Sequence, residues 1–336
     1  MMKGLRRRDF TVAGAAAILA PSTQAQAPSR IWRVAVLSIT SAPRDADAIR
    51  IVGAFADALR ERGYVEGQNV VFDRRFADGV ASRLPALAAE LVQLAPDVIV
   101  VNANPVAQAA LQATTTIPIV MILVSDPVRA GLVASLARSG NNLTGITDIQ
   151  SELTFKRLEL LKAAVPGVTR VANLTSNIGG FDAATLASMR DEEVAAAARI
   201  GFVLTHHPFQ APPEFGAALA SVASVRPQAL FLDHRPLNYV LRREIAEFAT
   251  RQRLPCIGSQ REQAAAGILM AYGTSTAWQS RMAAGYVDRI LKGAKPSDLP
   301  IEQPTTFELV VNVKTAKEMG LSIPRSVLVS ADELIE

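Results

Sequence analysis

The sequence predicts an α/β protein of two similar lobes, each built on a parallel β-sheet and joined to the other by a hinge. Short apolar runs alternate with amphipathic helical stretches from Arg33 onward, which is the rhythm of repeated βα units. The runs are almost wholly apolar, as expected of strands that are covered on both faces. The same rhythm restarts near residue 170, so two lobes account for the pattern better than one sheet.

The elements follow in order along the chain. The first set of predicted strands covers 34–37, 70–74, 97–101, 119–124 and 143–147, with helices at 47–62, 83–94, 106–113 and 128–138. The second set of strands covers 170–174, 202–205, 229–232, 255–258 and 268–272, with helices at 152–164, 183–199, 213–225, 237–253 and 276–292. A strand at 307–311 and a short helix at 314–319 complete the prediction.

Residues 1–25 have the layout of an export signal. Lys3 and three arginines at 6–8 precede an apolar stretch at 12–20, and small residues follow it. Arg7-Arg8-Asp9-Phe10 also resembles a twin-arginine signal. We expect cleavage after Ala25 and a soluble protein in the periplasm; an ordinary N-terminal helix is the alternative.

Composition narrows the class of protein further. The chain has 336 residues, 49% of them hydrophobic and 20% charged, which is typical of a globular protein of about two domains. Removal of residues 1–25 lowers the formal charge from +4 to +1, so no basic surface for nucleic acid is expected. Cys256 is the only cysteine and is predicted to be a buried, inert thiol. A lipid anchor would need a cysteine near residue 25, and the sequence has none there, so we expect no anchor.

Signatures of catalysis are missing from the sequence. It has no G-x-S-x-G elbow, no phosphate-binding G-x-x-x-x-G-K-[ST] loop and no G-x-G-x-x-G after the first strand. His206, His207 and His234 do not have metal-ligand spacing, and the adjacent pair is predicted to end a strand at the surface. We therefore expect no enzyme, no cofactor and no metal.

Short polar residues follow the predicted strands, with helix N-termini close behind. Because parallel sheets bind ligands beyond the carboxyl ends of their strands, these residues are the candidate ligand contacts. They are Ser38, Thr40, Asn102, Asn104, Ser125 and Asp126 in the first lobe, and Ser176, Asn177, Asp233, Arg235 and Ser259 in the second. For each residue alone, helix capping is an equally good interpretation. Together they predict a cleft for one small polar ligand.

Asp126 and Arg235 are the two candidates for charged contacts. Asp126 stands in VSDPV, directly after a predicted strand, where it could cap a helix or hold an ammonium group. Arg235 could bind a carboxylate through two parallel hydrogen bonds. We expect at least one of them to contact the ligand.

Five stretches resemble the tryptophan/tyrosine-type family of ABC-transporter substrate-binding proteins. They are RGYVEGQNV (62–70), RLPALAAELVQL (83–94), TTTIPIVMILVSDPVRAGLVASLAR (114–138), FKRLELLKAAVPGVTRVA (155–172) and YVDRILKGAKPSDLPIEQPTTFELVVNVKTAKEMGLSIP (286–324). The resemblance implies a type I periplasmic-binding-protein fold of two Rossmann-like lobes with three crossovers. It places residues 30–146 and 266–300 in the N-terminal lobe, and 147–265 and 301–336 in the C-terminal lobe. It also implies that Ser125 and Asp126 line the cleft.

The sequence departs from the family pattern at two places. Asn104-Pro105 stands where relatives carry a Thr-Pro pair, and His234-Arg235-Pro236 stands where they carry Pro-Asp-Pro. The second departure replaces an acidic position by a basic one, which favours a more acidic ligand. Of the two charged candidates, Asp126 is favoured because the family pattern keeps it.

The resemblance implies a role in transport. Such a protein captures an amino acid or related organic acid between its lobes and delivers it to an ABC permease in the inner membrane, and we expect it to act as a monomer. The alternative is a periplasmic sensing protein that presents its ligand to a receptor.

Overall fold

A computed structural model describes residues 30–43 and 46–336, without the side chains at 46–51, 150 and 151. The predicted export signal at 1–25 lies outside this part of the chain. The strands are β1 (Trp32–Ser38), β2 (Val70–Phe76), β3 (Val98–Asn102), β4 (Ile119–Ser125), β5 (Leu143–Asp148), β6 (Arg170–Ser176), β7 (Val203–Phe209), β8 (Ala229–Leu232), β9 (Cys256–Gly258), β10 (Met270–Gly273), β11 (Glu308–Asn312) and β12 (Glu333–Ile335). The helices are α1 (Ala46–Arg60), α2 (Leu84–Gln93), α3 (Asn104–Ala113), α4 (Gln150–Ala164), α5 (Ala183–Arg199), α6 (Phe215–Ser224), α7 (Pro236–Val240), α8 (Arg242–Arg251), α9 (Arg261–Ala266), α10 (Thr276–Leu291), α11 (Val313–Met319) and α12 (Arg325–Val329).

The first sheet has five parallel strands in the order β2-β1-β3-β4-β5. Apolar side chains on both of its faces are buried because helices cover each side. Leu84 and Leu91 of α2 and Val106 of α3 pack on one face. Leu59 of α1 and Val287 of α10 pack on the other. Such double coverage explains why the strands read as continuous apolar runs.

The second sheet has seven strands in the order β12-β11-β10-β9-β8-β6-β7. All neighbouring pairs are parallel except β10 and β11, which are antiparallel. Two mainly parallel sheets, each with helices on its faces, confirm the predicted α/β class and the two lobes. Within the described ranges, no helix is both long and apolar enough to cross a membrane.

Strand β10 lies in the second sheet, although the predicted lobe division placed it in the first lobe. The strand predicted at 268–272 was placed with the first lobe, but β10 pairs with β9 and β11 in the second sheet. The chain returns to the first sheet only with α10, which packs against α1 and against β3–β5. The predicted change of lobe between residues 265 and 266 would instead fall inside α9. The lobe limits as a whole remain a prediction.

Two local predictions are wrong. No helix forms at 128–138, where the chain makes a series of turns. Asp126 has a φ of 44° and Gly131 a φ of 68°, and these backbone conformations cannot continue a right-handed helix. The pair His206-His207 does not end a strand at the surface, because β7 continues to Phe209 and His207 is buried. Burial, helped by His206, lowers the pKa of His207 below its usual value.

Cys256 is buried in β9, as predicted, and burial raises the pKa of its thiol. The thiolate is the reactive form of cysteine, so a raised pKa keeps this side chain inert at neutral pH.

Candidate functional site

A cavity of about 510 Å³ lies between the carboxyl ends of the strands of the two sheets. Its volume is within the roughly 300–1,000 Å³ that is common for small-molecule sites. The ends of β1, β2, β3 and β4 contribute from the first lobe, and the segments after β6 and β8 contribute from the second. A pocket at this edge follows from the parallel arrangement of both sheets.

The structure brings most of the candidate residues to this cavity. Seven of the predicted contacts line it: Ser38, Thr40, Asn102, Asn104, Ser125, Ser176 and Arg235. The other four, which are Asp126, Asn177, Asp233 and Ser259, are not among its lining residues. Contact with a ligand remains a prediction for each of these side chains, and Asp126, which the family pattern favoured, is now the weaker of the two charged candidates because only Arg235 lines the cavity.

Three of the polar side chains of the first lobe hydrogen-bond to one another. Ser38 Oγ lies 2.8 Å from Thr40 Oγ1 and accepts a hydrogen bond of 2.9 Å from Asn102 Nδ2. Asn102 Oδ1 accepts from the backbone N–H of Ile39 at 3.2 Å. These bonds fix the loop after β1 against the end of β3, so their first effect is to shape the cavity wall.

Asn104 has a similar structural role at the end of β4. Its Nδ2 donates to the carbonyl oxygen of Ser125 at 2.7 Å, and its Oδ1 accepts from the N–H of Ser125 at 3.0 Å. This paired contact ties the last residue of β4 to the first residue of α3. The hydroxyl of Ser125 is thereby held at the cavity.

The second lobe presents a buried carboxylate behind the cavity wall. Asp233 accepts hydrogen bonds from Thr175 Oγ1, from Asn238 Nδ2 at 3.0 Å and from Arg235 Nε at 3.1 Å. Burial raises the pKa of Asp233 to about 6, although Arg235 opposes the shift. Asp233 therefore positions Arg235, whose side chain lines the cavity.

His234 connects this wall to the hinge. Its Nδ1 lies 2.9 Å from Ser259 Oγ, and its Nε2 lies 3.1 Å from Asp148 Oδ2 without hydrogen-bond geometry. Asp148 is the last residue of β5, where the chain leaves the first sheet. Gln279 of α10 donates to Asp148 Oδ1 at 2.6 Å and accepts from the N–H of Leu123 at 3.0 Å. Side chains of both lobes thus meet at the crossover.

A fully buried arginine, Arg157, lies between α4 and β10 of the second lobe. Arg157 of α4 donates from Nε to the carbonyl oxygen of Tyr272 at 2.8 Å. Burial lowers its pKa to about 10, and the carboxylates Asp148, Asp233 and Glu193 oppose that shift. Arg157 is therefore a fully buried positive charge among these acids, in addition to Arg235, which pairs with Asp233.

Aromatic and basic side chains that were not among the predicted contacts complete the wall. They are Phe55, Phe72, Phe76, Phe181, Tyr239, Arg74, Arg242 and Arg243. The end of β2 gave a usable signal, since Arg74 and Phe76 stand at a strand end like the selected residues. Phe72 lies in the middle of β2, and the others project from helices or loops whose orientation strand ends do not indicate.

The two lobes are in contact around the cavity. Gly180, after β6, packs so closely on Asn104 that a Cβ atom at position 180 would lie 2.4 Å from its Cβ. Arg129, after β4, makes a paired ion bridge with Glu192 of α5, with N–O distances of 3.0 and 2.8 Å. This bridge raises the pKa of Arg129 and lowers that of Glu192. We call this arrangement, in which the lobes touch beside the cavity, the closed form.

We expect Asp126→Asn to leave ligand affinity within about twofold of the wild type. Asp126 does not line the cavity, and Asn tolerates the φ of 44° found at this position. The measurement is a calorimetric titration of both proteins with a ligand found by screening. A loss of ten-fold or more would return Asp126 to the ligand contacts.

The comparisons with known sequences agree over nearly the whole chain. The family described as ABC transporter substrate binding protein matches residues 33–335. A tyrosine-binding protein from Clostridioides difficile (strain R20291) is 26% identical over 267 residues, which cover 80% of this chain and 75% of that protein.

Solved structures with similar folds include two of 25% identity or more. The ABC domain from Streptococcus pneumoniae, in complex with L-Trp, is 26% identical with a TM-score of 0.80, and the match covers 91% of this chain and 100% of that one. A conserved domain protein from Vibrio cholerae O1 biovar El Tor is 27% identical with a TM-score of 0.81, again over 91% and 100%. The predicted resemblance is confirmed: this chain belongs to the family of ABC transporter substrate-binding proteins.

Proposed function

We propose that this protein is exported to the periplasm, captures an amino acid or related organic acid between its lobes, and delivers it to an ABC permease in the inner membrane. The observation that supports this most is the cavity of about 510 Å³ bounded by the strand ends of both sheets. A ligand there contacts both lobes and stabilises the closed form, which is how binding could be signalled to a permease. The export signal proposed for residues 1–25 predicts a mature protein that begins at Gln26.

The lobe division that fits the sheets differs from the predicted one at the second crossover. We propose residues 31–148 with 275–300 as the first lobe, and 149–274 with 301–336 as the second. The pairing of β10 with β9 and β11 and the packing of α10 on α1 support this division. Three segments of the chain then connect the two lobes, and Asp148 lies at the first connection.

A ligand that binds only the folded, closed protein must raise its stability by mass action. At a hundredfold excess over the dissociation constant, the gain is about 2.7 kcal/mol. We therefore expect at least one clear hit in a thermal-shift screen of amino acids, aromatic acids and dicarboxylates. The absence of any hit in a broad solute library would contradict solute capture.

Transport is separated from sensing by the phenotype of a deletion strain. Loss of uptake of the radiolabelled hit, restored by the cloned gene, supports delivery to a permease. Normal uptake with a lost transcriptional response would instead favour a sensing protein that presents its ligand to a receptor.

The expected monomeric state is tested by size-exclusion chromatography with light scattering.

A further inference from the structure

Arg235 is fixed at the cavity wall with part of its guanidinium unused. Its Nε donates to Asp233 at 3.1 Å, its Nη2 lies 3.8 Å from the sulfur of Met189, and the group lies 5.4 Å from the ring centroid of Phe181. Among the described residues, no hydrogen-bond acceptor contacts Nη1. A guanidinium held in this way can bind a carboxylate with little further loss of side-chain entropy.

Ser176 supplies a second donor at the same edge. The residue is 2% exposed, lines the cavity, and its Oγ has no hydrogen-bond partner within the described chain. The pairing of Leu174 with Leu232 in β6 and β8 places Ser176 level with His234 and next to Arg235. A buried hydroxyl without a partner is costly, so a ligand oxygen at this place would satisfy it.

The remainder of the lining suits an apolar body better than an ammonium group. Most of the lining residues are aliphatic or aromatic, and four arginines line the cavity against one acid, Glu244, among the described residues. Arg74 is occupied by a paired bridge to Glu66, with Nη1 2.8 Å from Oε1. With Glu244 as the one acid among the described lining residues, an α-ammonium group would find few carboxylates to pair with, and an unpaired charge in a partly apolar cavity is disfavoured.

We propose that the ligand is an aromatic or similarly apolar carboxylate without an α-ammonium group, with its carboxylate bound by Arg235 and Ser176. This inference rests on the proposed solute-binding function and narrows its ligand class. The ring would lie against the aromatic part of the wall, which includes Phe181 and Tyr239.

Matched probes test the charge requirement directly. Indole-3-propanoate, L-tryptophan and tryptamine share one ring system but carry an acid, an acid with an ammonium, and an ammonium alone. The second series is 3-phenylpropanoate, L-phenylalanine and 2-phenylethylamine. By calorimetry at pH 7, we expect at least one acid to bind ten-fold or more tightly than its amino acid, with no binding of either amine.

Variants test the assigned residues. Arg235→Gln should weaken binding of the acid at least a hundredfold, Arg235→Lys should recover part of that loss, and Ser176→Ala should weaken it about five- to tenfold. Arg60→Gln changes an exposed arginine outside the cavity and serves as the control. Melting temperatures of the ligand-free variants show that each one folds. If Arg235 merely balanced Asp233, Arg235→Gln would lower the melting temperature without changing the preference for the acid, and the proposal would be overturned.

The experiments distinguish an error in the proposed ligand class from an error in the proposed function. If the amino acids bind as tightly as the corresponding acids, the proposed ligand class is wrong but solute binding stands. The same holds if none of the six probes binds and another solute in the library does. If neither the probes nor any solute in the library binds, the proposed ligand class and the proposed function are both overturned.

Discussion

Gly180→Ala should lower the affinity for ligand roughly a hundredfold, which corresponds to about 2.7 kcal/mol. In the closed form, a Cβ at position 180 would lie 2.4 Å from Asn104 Cβ and 3.2 Å from backbone atoms of Asn104 and Pro105. Contacts this short cannot form, so the loop that carries Gly180 must move away from Asn104, and we expect the lobes to part with it. Because apparent affinity falls with the fraction of competent protein, a disfavoured closed form weakens binding without loss of any ligand contact. Titration calorimetry with the screened ligand measures the effect.

The matched control is Gly63→Ala. Gly63 has a φ of 91° and Gly180 a φ of 90°, so alanine meets the same backbone strain at both positions. No atom lies within 4 Å of a Cβ built at Gly63, so only the clash differs. Both variants should lose about 1–2 kcal/mol of ligand-free stability, and only Gly180→Ala should lose affinity. Equal affinity in the two variants would show that closure at this contact is not required.

Arg157→Met should destabilise the protein at pH 7 by roughly 3–5 kcal/mol, as is usual when one partner of a buried charge network is removed. Methionine fills a similar volume but removes the fully buried positive charge near Asp148, Asp233 and Glu193, of which Asp233 keeps its ion pair with Arg235. Denaturant unfolding followed by circular dichroism measures the change. Arg60→Met, at an exposed arginine paired with Asp57, should change stability by less than about 1 kcal/mol.

The pH dependence of Arg157→Met follows from Asp233. Its pKa is raised to about 6 in the folded protein, so it takes up a proton there before it does so in the unfolded chain. Acidification from pH 7 to pH 5 therefore removes a buried charge and favours the folded state. Arg157→Met should regain part of its lost stability over this window, by more than the wild type gains. A deficit that stays constant from pH 7 to pH 5 would contradict the charge-balance role.

The predicted site came from one physical regularity. Parallel strands end at the same edge of a sheet, so the residues after β1, β3, β4, β6 and β8 could be grouped from sequence alone. Seven of them do line the cavity. The sequence could not show that Ser38, Thr40 and Asn102 are bonded to one another, because this depends on the loop geometry between two strands.

The failures have physical causes as well. Residues 128–138 carry apolar spacing typical of a helix, but the left-handed backbone at Gly131, with a φ of 68°, interrupts the segment. The sheet to which β10 belongs is decided by its long-range pairing with β9 and β11, which leaves no trace in its own few apolar residues. The aromatic wall depends on which helix face is turned toward the opposite lobe, as for Tyr239.

Native mass spectrometry of the protein purified under native conditions tests most directly that one small ligand is held between the closed lobes. We expect wild-type protein to carry one small molecule per chain, released on mild denaturation, and Gly180→Ala to carry none. Wild-type protein free of ligand even after incubation with a broad solute library would contradict the account. So would a ligand that Gly180→Ala retains as well as the wild type does.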